Sequence, residues 1–247
     1  MPTALITGAS SGIGADLARE FAAAGFTVTL LARRRDRLQA LADELGGCRV
    51  LVADLSEPGA AGRAFAETGP VDLLVNNAGF GEYVGFADQD PANQADMIAV
   101  NMTVVAELCR VYLPAMLERR AGRILNVASI VAFMPCPGLA LYAASKAFVL
   151  SLSEALFSEC EGHGVTVTCL CPGATETEFA ERAGMRGKLA LRVPMNSREV
   201  AKLGAAATLA GKRLVVAGGR NQAASLLPRI LPRGWLLRGT RKLLGGG

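Results

Sequence analysis

An apolar segment, Thr3–Thr7, runs directly into Gly8-Ala9-Ser10-Ser11-Gly12-Ile13-Gly14, and a helix-forming stretch follows at once. No other feature constrains the fold of this 247-residue chain as strongly. Glycine has no Cβ, so its backbone can turn tightly and approach a ligand closely. A helix opening straight after such a turn presents unpaired N–H groups and a partial positive charge. Strand, glycine turn and helix in that order make a phosphate-binding corner. A glycine-rich stretch without that context would be only a turn.

The same alternation continues down the chain. Strand patterns at Thr27–Ala32, Arg49–Ala53, Val71–Asn76, Arg123–Ala128, Val165–Cys171 and Arg213–Ala217 are near-continuous apolar runs. Helical patterns at Gly12–Ala24, Arg34–Leu45, Ala60–Glu67, Gln94–Glu118, Leu139–Glu161 and Ser197–Ala210 separate them. Strands of this kind are buried on both faces, and right-handed crossovers through helices make them parallel. The expected fold is α/β: a single doubly wound Rossmann-type domain, with a seven-stranded parallel sheet and helices on both faces. It should span residues 1–220, with 221–247 as a basic, apolar extension. Ligands in such folds sit at the carboxyl ends of the strands.

Composition narrows the class further. Hydrophobic residues make up 51% and charged residues 19%, which describes an ordered globular chain and excludes a disordered one. The net charge of +4 is unevenly placed. Six bases (Arg220, Arg229, Arg233, Arg238, Arg241 and Lys242) and no acid fall between residues 220 and 247, leaving the remainder mildly acidic. Such a tail could touch a membrane surface, an anionic partner or a neighbouring subunit, or be a solvated segment. No nucleic-acid-binding module or aromatic stacking pattern accompanies it, so nucleic acid is not an expected partner. The six cysteines form no CxxC pair and His163 stands alone, so no metal site is expected. Cys169 and Cys171 would share one strand face as buried thiols, which suits a reducing, cytoplasmic setting. No signal-peptide pattern opens the chain, and no unbroken run approaches the ~18 apolar residues of a membrane span.

Two further patterns carry chemistry. Nineteen residues past Gly14, the second strand ends in Arg33-Arg34-Arg35, where the ribose 2′ position of a dinucleotide arrives. An acid there favours NAD. Arginine at Arg33 and Arg34 favours the extra phosphate of NADP(H), which its planar fork matches. Ser129 follows the Arg123–Ala128 strand, and Tyr142-Ala-Ala-Ser-Lys146 follows thirteen residues later. Tyr142 and Lys146, four apart on a helix, share one face. Lowering a phenol pKa from near 10 to near 7 takes roughly 4 kcal/mol, and an ammonium about 4 Å away supplies that order of energy. Tyr142 is thus the expected proton donor or acceptor, Lys146 its charge partner, and Ser129 the group that binds the substrate oxygen. A Tyr/Lys pair by itself would be an ordinary packed helix face; the dinucleotide turn upstream gives it meaning.

Taken together, Thr7–Gly14, Asp54-Leu55, Asn76-Asn77-Ala78-Gly79, Asn101, Ser129, Tyr142–Lys146 and Pro172-Gly173 resemble the short-chain dehydrogenase/reductase family. The resemblance covers about Thr3 to Thr177 by motif. It implies an NADP(H)-dependent oxidoreductase that interconverts a small-molecule carbonyl and its alcohol. It also implies individual roles. Gly8, Ser10, Ser11, Gly12, Ile13 and Gly14 would cradle the pyrophosphate. Asp54 and Leu55 would meet the adenine, with Asn77, Ala78 and Gly79 beside it. Asn101 would anchor a water relay from Lys146, completing a tetrad with Ser129 and Tyr142. Lys146 would hold the nicotinamide ribose. Pro172, Gly173 and Thr175 with Thr177 would hold the carboxamide. Homodimers or homotetramers through the 94–118 and 139–161 helices are also implied. The readings set against this are a catalytically silent nucleotide-binding or scaffolding protein of the same fold, and an epimerase or dehydratase.

The substrate end carries less signal. Phe80, Tyr83, Val131, Phe133, Met134 and Cys136 suggest an apolar pocket. Glu178–Pro194, with Gly184, Gly187, Arg182, Arg186, Lys188 and Arg192, reads either as a basic lid or as a solvated loop. After the last strand, the leucine- and arginine-rich tail has near-helical spacing and could pack on a partner subunit or lie in a membrane interface.

Overall fold

A computed structural model describes residues 1–185 and 194–244. Its centre is a parallel sheet of β1 (Thr3–Thr7), β2 (Thr27–Ala32), β3 (Arg49–Val52), β4 (Leu73–Asn76), β5 (Gly122–Val127), β6 (Val165–Cys171) and β7 (Leu214–Val216). Spatial order is β3-β2-β1-β4-β5-β6-β7, all parallel, as the unbroken apolar strands require.

Side-chain alternation divides the core in two. From β1, Ala4 and Ile6 face one layer, against α1 (Gly12–Ala23), α2 (Arg35–Glu44) and α8 (Ser197–Leu209). Leu5 faces the other, against α3 (Ala60–Thr68) and α5 (Val104–Glu118), with the end of α6 (Ala140–Glu159) beside them. The strand order reverses direction between β1 and β4, and their carboxyl ends part there to leave a crevice. The Thr7 hydroxyl braces that gap. It donates to the Val75 carbonyl at 3.0 Å and accepts from the backbone N–H groups of Asn77 and Ala78 at 3.0 and 3.1 Å.

The helix expected over 94–118 is three pieces: α4 (Pro91–Ile98), one π-helical turn (Ala99–Thr103), and α5. Asp90 caps α4 by accepting from the Asn93 backbone N–H at 2.9 Å. The wide turn contains Asn101, whose side chain bonds the neighbouring loop, and such insertions often mark functional positions. Together 91–118 and, separately, 140–159 are long and apolar enough to cross a membrane by length and composition. Scattered charges such as Glu107, Arg110 and Lys146 interrupt both, so neither stands out as an unbroken run. In the fold they cover the sheet.

The six cysteines are free thiols, with Cys169 and Cys171 side by side and buried, their sulfurs 3.9 Å apart. A short α7 (Phe179–Arg182) follows β6, and residues 186–193 lie outside the described part. The expected lid positions Arg186, Gly187, Lys188 and Arg192 fall there. After β7 the chain forms two further helices, α9 (Gly219–Ile230) and α10 (Arg233–Leu244).

Candidate active site

Each catalytic candidate is positioned by a chain end. Ser129 lies just past β5 in an extended conformation and caps a short 3-10 turn (Ile130–Phe133), its hydroxyl accepting from the Val131 N–H at 3.4 Å. That turn is tied to the next strand, because the Ile130 N–H donates to the Pro172 carbonyl at 2.8 Å. Tyr142 sits in the first turn of α6 and lines the same cleft as Ser129. One turn on, Lys146 donates through Nζ to the Val127 carbonyl at 2.9 Å and lies 5.8 Å from the Tyr142 ring centre. All three side chains are buried and line one cleft. The fold brings the sequence-predicted trio together.

The electrostatics differ from the expectation. Burial pushes the Tyr142 phenol up to about 12, and the bond from Ser129 only partly opposes this. Burial also brings Lys146 down to about 8. Two groups out of water each resist charge, and the ammonium is aimed at the Val127 carbonyl, not at the phenol oxygen. The expected lowering of the Tyr142 pKa by Lys146 is therefore not found: burial turns the shift upward.

Asn101 is fully buried and satisfied by protein groups. Its Oδ1 accepts from the Phe80 N–H at 3.1 Å, and its Nδ2 donates to the Phe80 carbonyl at 2.8 Å and to Ser145 Oγ at 3.1 Å. The side chain thus staples the loop after β4 to α6. Gly79 fits between: a Cβ there would come within 3.1 Å of Asn101 Oδ1 and 3.3 Å of Lys146 Nζ.

At the other end of the cleft, Gly8, Ser10, Ser11, Gly12, Ile13 and Gly14 form a rim. Gly8 and Gly12 have positive φ, which suits glycine. A Cβ on Gly8 would come within 2.8 Å of the Ala78 Cα and one on Gly12 within 2.8 Å of Thr177; one on Gly14 would fall on the Asn77 amide and Gly8 carbonyl. Asn77 donates through Nδ2 to the carbonyls of Thr7 and Gly8 at 3.0 and 3.3 Å, locking the turn. Asp54 and Leu55 line the same wall. Burial raises the Asp54 pKa, but donors from Ser56 and the charge of Arg33 outweigh it, and the net direction is down. The carboxamide candidates also face the cleft: Pro172, Gly173, Thr175 and Thr177. Thr175 donates to the Gly173 carbonyl at 3.0 Å, and Thr177 Oγ accepts from the Phe179 N–H at 3.3 Å.

The two arginines separate. Arg33 is largely exposed and reaches Asp54 at 3.4 Å. Arg34 lies across the turn, donating to Ser10 Oγ at 3.0 Å and Ser11 Oγ at 2.7 Å. The whole cleft measures about 870 Å³, room for an elongated ligand that reaches from Arg34 to Tyr142.

A sequence model of the short chain dehydrogenases matches residues 2–186. The chain belongs to the short-chain dehydrogenase family. It is an oxidoreductase by that membership. A short chain dehydrogenase of Pseudocercospora fijiensis is 41% identical over 187 residues, covering 72% of this chain and 60% of that relative. The solved short-chain dehydrogenase from Sphingobium yanoikuyae in complex with NADPH has a TM-score of 0.83 at 32% identity, covering 94% of this chain and 97% of its own. The 3-ketoacyl-(acyl-carrier-protein) reductase from Brucella melitensis complexed with NADH has a TM-score of 0.79 at 30% identity, covering 89% and 98%.

The substrate end of this short-chain dehydrogenase departs in detail from the sequence reading. Phe80, Val131, Met134 and Cys136 line the cleft, but Tyr83 and Phe133 do not. Tyr83 turns its hydroxyl to the Leu244 carbonyl, 2.8 Å away, and Phe133 packs against the core cluster that includes Val149 and Cys169. Thr240 and Leu244 of α10, with Met185, complete the wall. Nothing in local spacing signals these three, because they arrive through tertiary packing. Glu178 was likewise invisible as a site residue. It pairs with Arg37, accepts from Arg34 at 2.9 Å and pairs with Arg182; hydrogen bonds from Arg37 and Arg34, with a smaller pull from the Arg182 charge, hold its carboxyl down to about 2.

Proposed function

We propose that this dehydrogenase uses NADP(H) to interconvert a carbonyl and an alcohol on an apolar small molecule, with Tyr142 as the proton donor or acceptor. The observation that carries the reading is the convergence of Ser129, Tyr142 and Lys146 in the cleft that the glycine turn also rims. The turn supports a dinucleotide: three glycines let its backbone close tightly against Asn77, Ala78 and Thr177, where any Cβ would collide, and α1 opens directly from it on the rim of the cleft. Arg34 above Ser10 and Ser11 supports the 2′-phosphate, with Asp54 and Leu55 toward the adenine. Tyr142, Lys146, Gly79, Gly173 and Thr175 fall toward the nicotinamide end. When bound, the cofactor supplies or takes the hydride.

The protein's part is positional and protonic. Ser129 offers a hydroxyl to the substrate oxygen beside that of Tyr142. At neutral pH a phenol with a pKa near 12 is protonated, so Tyr142 stands ready to give its proton to a carbonyl oxygen as that oxygen gains charge. Lys146, near its own midpoint at about 8, is placed to hold ribose hydroxyls and to return charge to the site. Phe80, Val131, Met134, Met185 and Leu244 exclude water and favour an apolar substituent on the carbonyl.

Incubating the purified chain with NADPH and a panel of aliphatic, aromatic and steroid-like ketones, and following loss of the reduced nicotinamide absorbance, tests this reading. Turnover of apolar ketones supports it. NADPH binding with no turnover on any carbonyl would return the protein to the silent, nucleotide-binding class. Assembly as a homodimer or homotetramer through the 94–118 segment (α4 and α5) and α6 belongs to the same proposal, and light scattering on the eluted protein measures it.

A further inference from the structure

The two helices after β7 carry a surface that the dehydrogenase site does not use. Among the described residues, six of the twelve large exposed hydrophobics fall between residues 226 and 237: Leu226, Leu227, Ile230, Leu231, Trp235 and Leu237. Leu226 and Ile230 are four apart, so they share the solvent side of α9, while its inner side holds the buried Ser225. On α10 the inward stripe is Leu236, Thr240 and Leu244, all buried, and Thr240 donates to the Pro135 carbonyl at 3.0 Å. Trp235 is 63% exposed on the opposite side, with the Arg238 guanidinium over its ring at 6.0 Å. Both helices are thus anchored on one side and apolar on the side that faces water.

The charged side chains carried by these two helices have one sign. Arg220, Arg229, Arg233, Arg238, Arg241 and Lys242 lie on these helices, and no acidic residue follows Glu199. An isologous contact between two copies would set these cations against their own kind. An anionic surface meets them favourably, and leucine, isoleucine and tryptophan among arginines match the boundary between lipid head groups and acyl chains. We infer that α9 and α10 dock the protein on an anionic phospholipid surface. The geometry adds a consequence: Thr240 and Leu244, on the inner side of the docking helix, line the catalytic cleft. Docking therefore sets the substrate end of the cleft next to the bilayer, where apolar molecules partition.

The chain holds a single tryptophan, Trp235, so its fluorescence reports this surface alone. The full-length protein is mixed with phosphatidylcholine vesicles with or without phosphatidylglycerol, sedimented, and its emission recorded. The expected result is partitioning at least roughly tenfold stronger onto the anionic vesicles, weakened by salt, with a blue shift of Trp235. Leu226→Ser with Ile230→Ser, and separately Arg233→Glu with Arg238→Glu, should each abolish the shift and the sedimentation while the melting temperature stays within a few degrees. Failure to bind anionic vesicles, or equal binding to both kinds, overturns the proposal. So does concentration-dependent self-association that the Leu226/Ile230 variant removes in the absence of lipid.

Discussion

The guanidinium of Arg34 reaches Glu178 at 2.9 Å while its other nitrogens hold Ser10 and Ser11. One arginine therefore links the phosphate turn to the segment after β6, and a carboxylate occupies part of its donor fork. A ligand phosphate at this corner would have to share or displace that carboxylate.

From this follows an ordering of the arginines. Arg34→Ala should weaken NADPH binding by roughly 10- to 100-fold and NADH by under about threefold, whereas Arg33→Ala, exposed and paired to Asp54, should cost NADPH far less. Glu178→Gln should tighten NADPH by a few-fold, since a competing anion is removed. Fluorescence titration of both cofactors measures all three. Equal losses for NADPH and NADH in Arg34→Ala would contradict the phosphate role.

The glycine turn gives a steric prediction. A methyl group at Gly14 would overlap the Asn77 side chain and the Gly8 carbonyl, and both belong to the same hydrogen-bonded corner. Gly14→Ala should destabilise the fold by about 1–3 kcal/mol, a fall of several degrees in melting temperature for a chain of this size, and remove dinucleotide binding. Gly62→Ala, exposed within α3 where a Cβ meets nothing within 4 Å, is the control without a clash and should melt at or slightly above the parent, since a helical glycine costs up to about 1 kcal/mol relative to alanine. Calorimetry of both variants decides it.

The active-site titrations set a direction with pH. Lys146, brought down to about 8 by burial, carries its charge below that pH and loses it above. Tyr142, pushed up to about 12, stays protonated across the working range. If charged Lys146 holds the cofactor, kcat/KM for NADPH in reduction, which reports the free enzyme, should be flat below pH 7 and fall as pH rises through about 8. A profile level from pH 6 to 10 would remove Lys146 from that role.

How much of this was legible in the sequence varies with the distance over which each feature is set. The turn at Gly8, Gly12 and Gly14, the i,i+4 pair Tyr142 and Lys146, and the apolar strands are local patterns, and the seven-stranded parallel sheet follows from them. Asn101 was visible as a candidate, but the π-helical turn that carries it was not, because an apolar helical pattern runs on through 99–103. The near-helical spacing of the tail was visible, but not its division into two helices or the packing of α10 on the cleft. Their helicity comes from the inward stripe Leu236, Thr240 and Leu244 packing on the site. Glu178 lies 144 residues from Arg34. The direction of the Tyr142 shift was misjudged because sequence supplies the partner charge but not the burial that outweighs it.

The most direct measurement pairs turnover with binding in Tyr142→Phe. The variant keeps the ring against Phe179 and removes only the hydroxyl beside Ser129. The account expects NADPH affinity within about threefold of the parent and ketone reduction lowered by roughly 10²- to 10⁴-fold. Reduction at the parent rate by a variant that binds NADPH normally would contradict it.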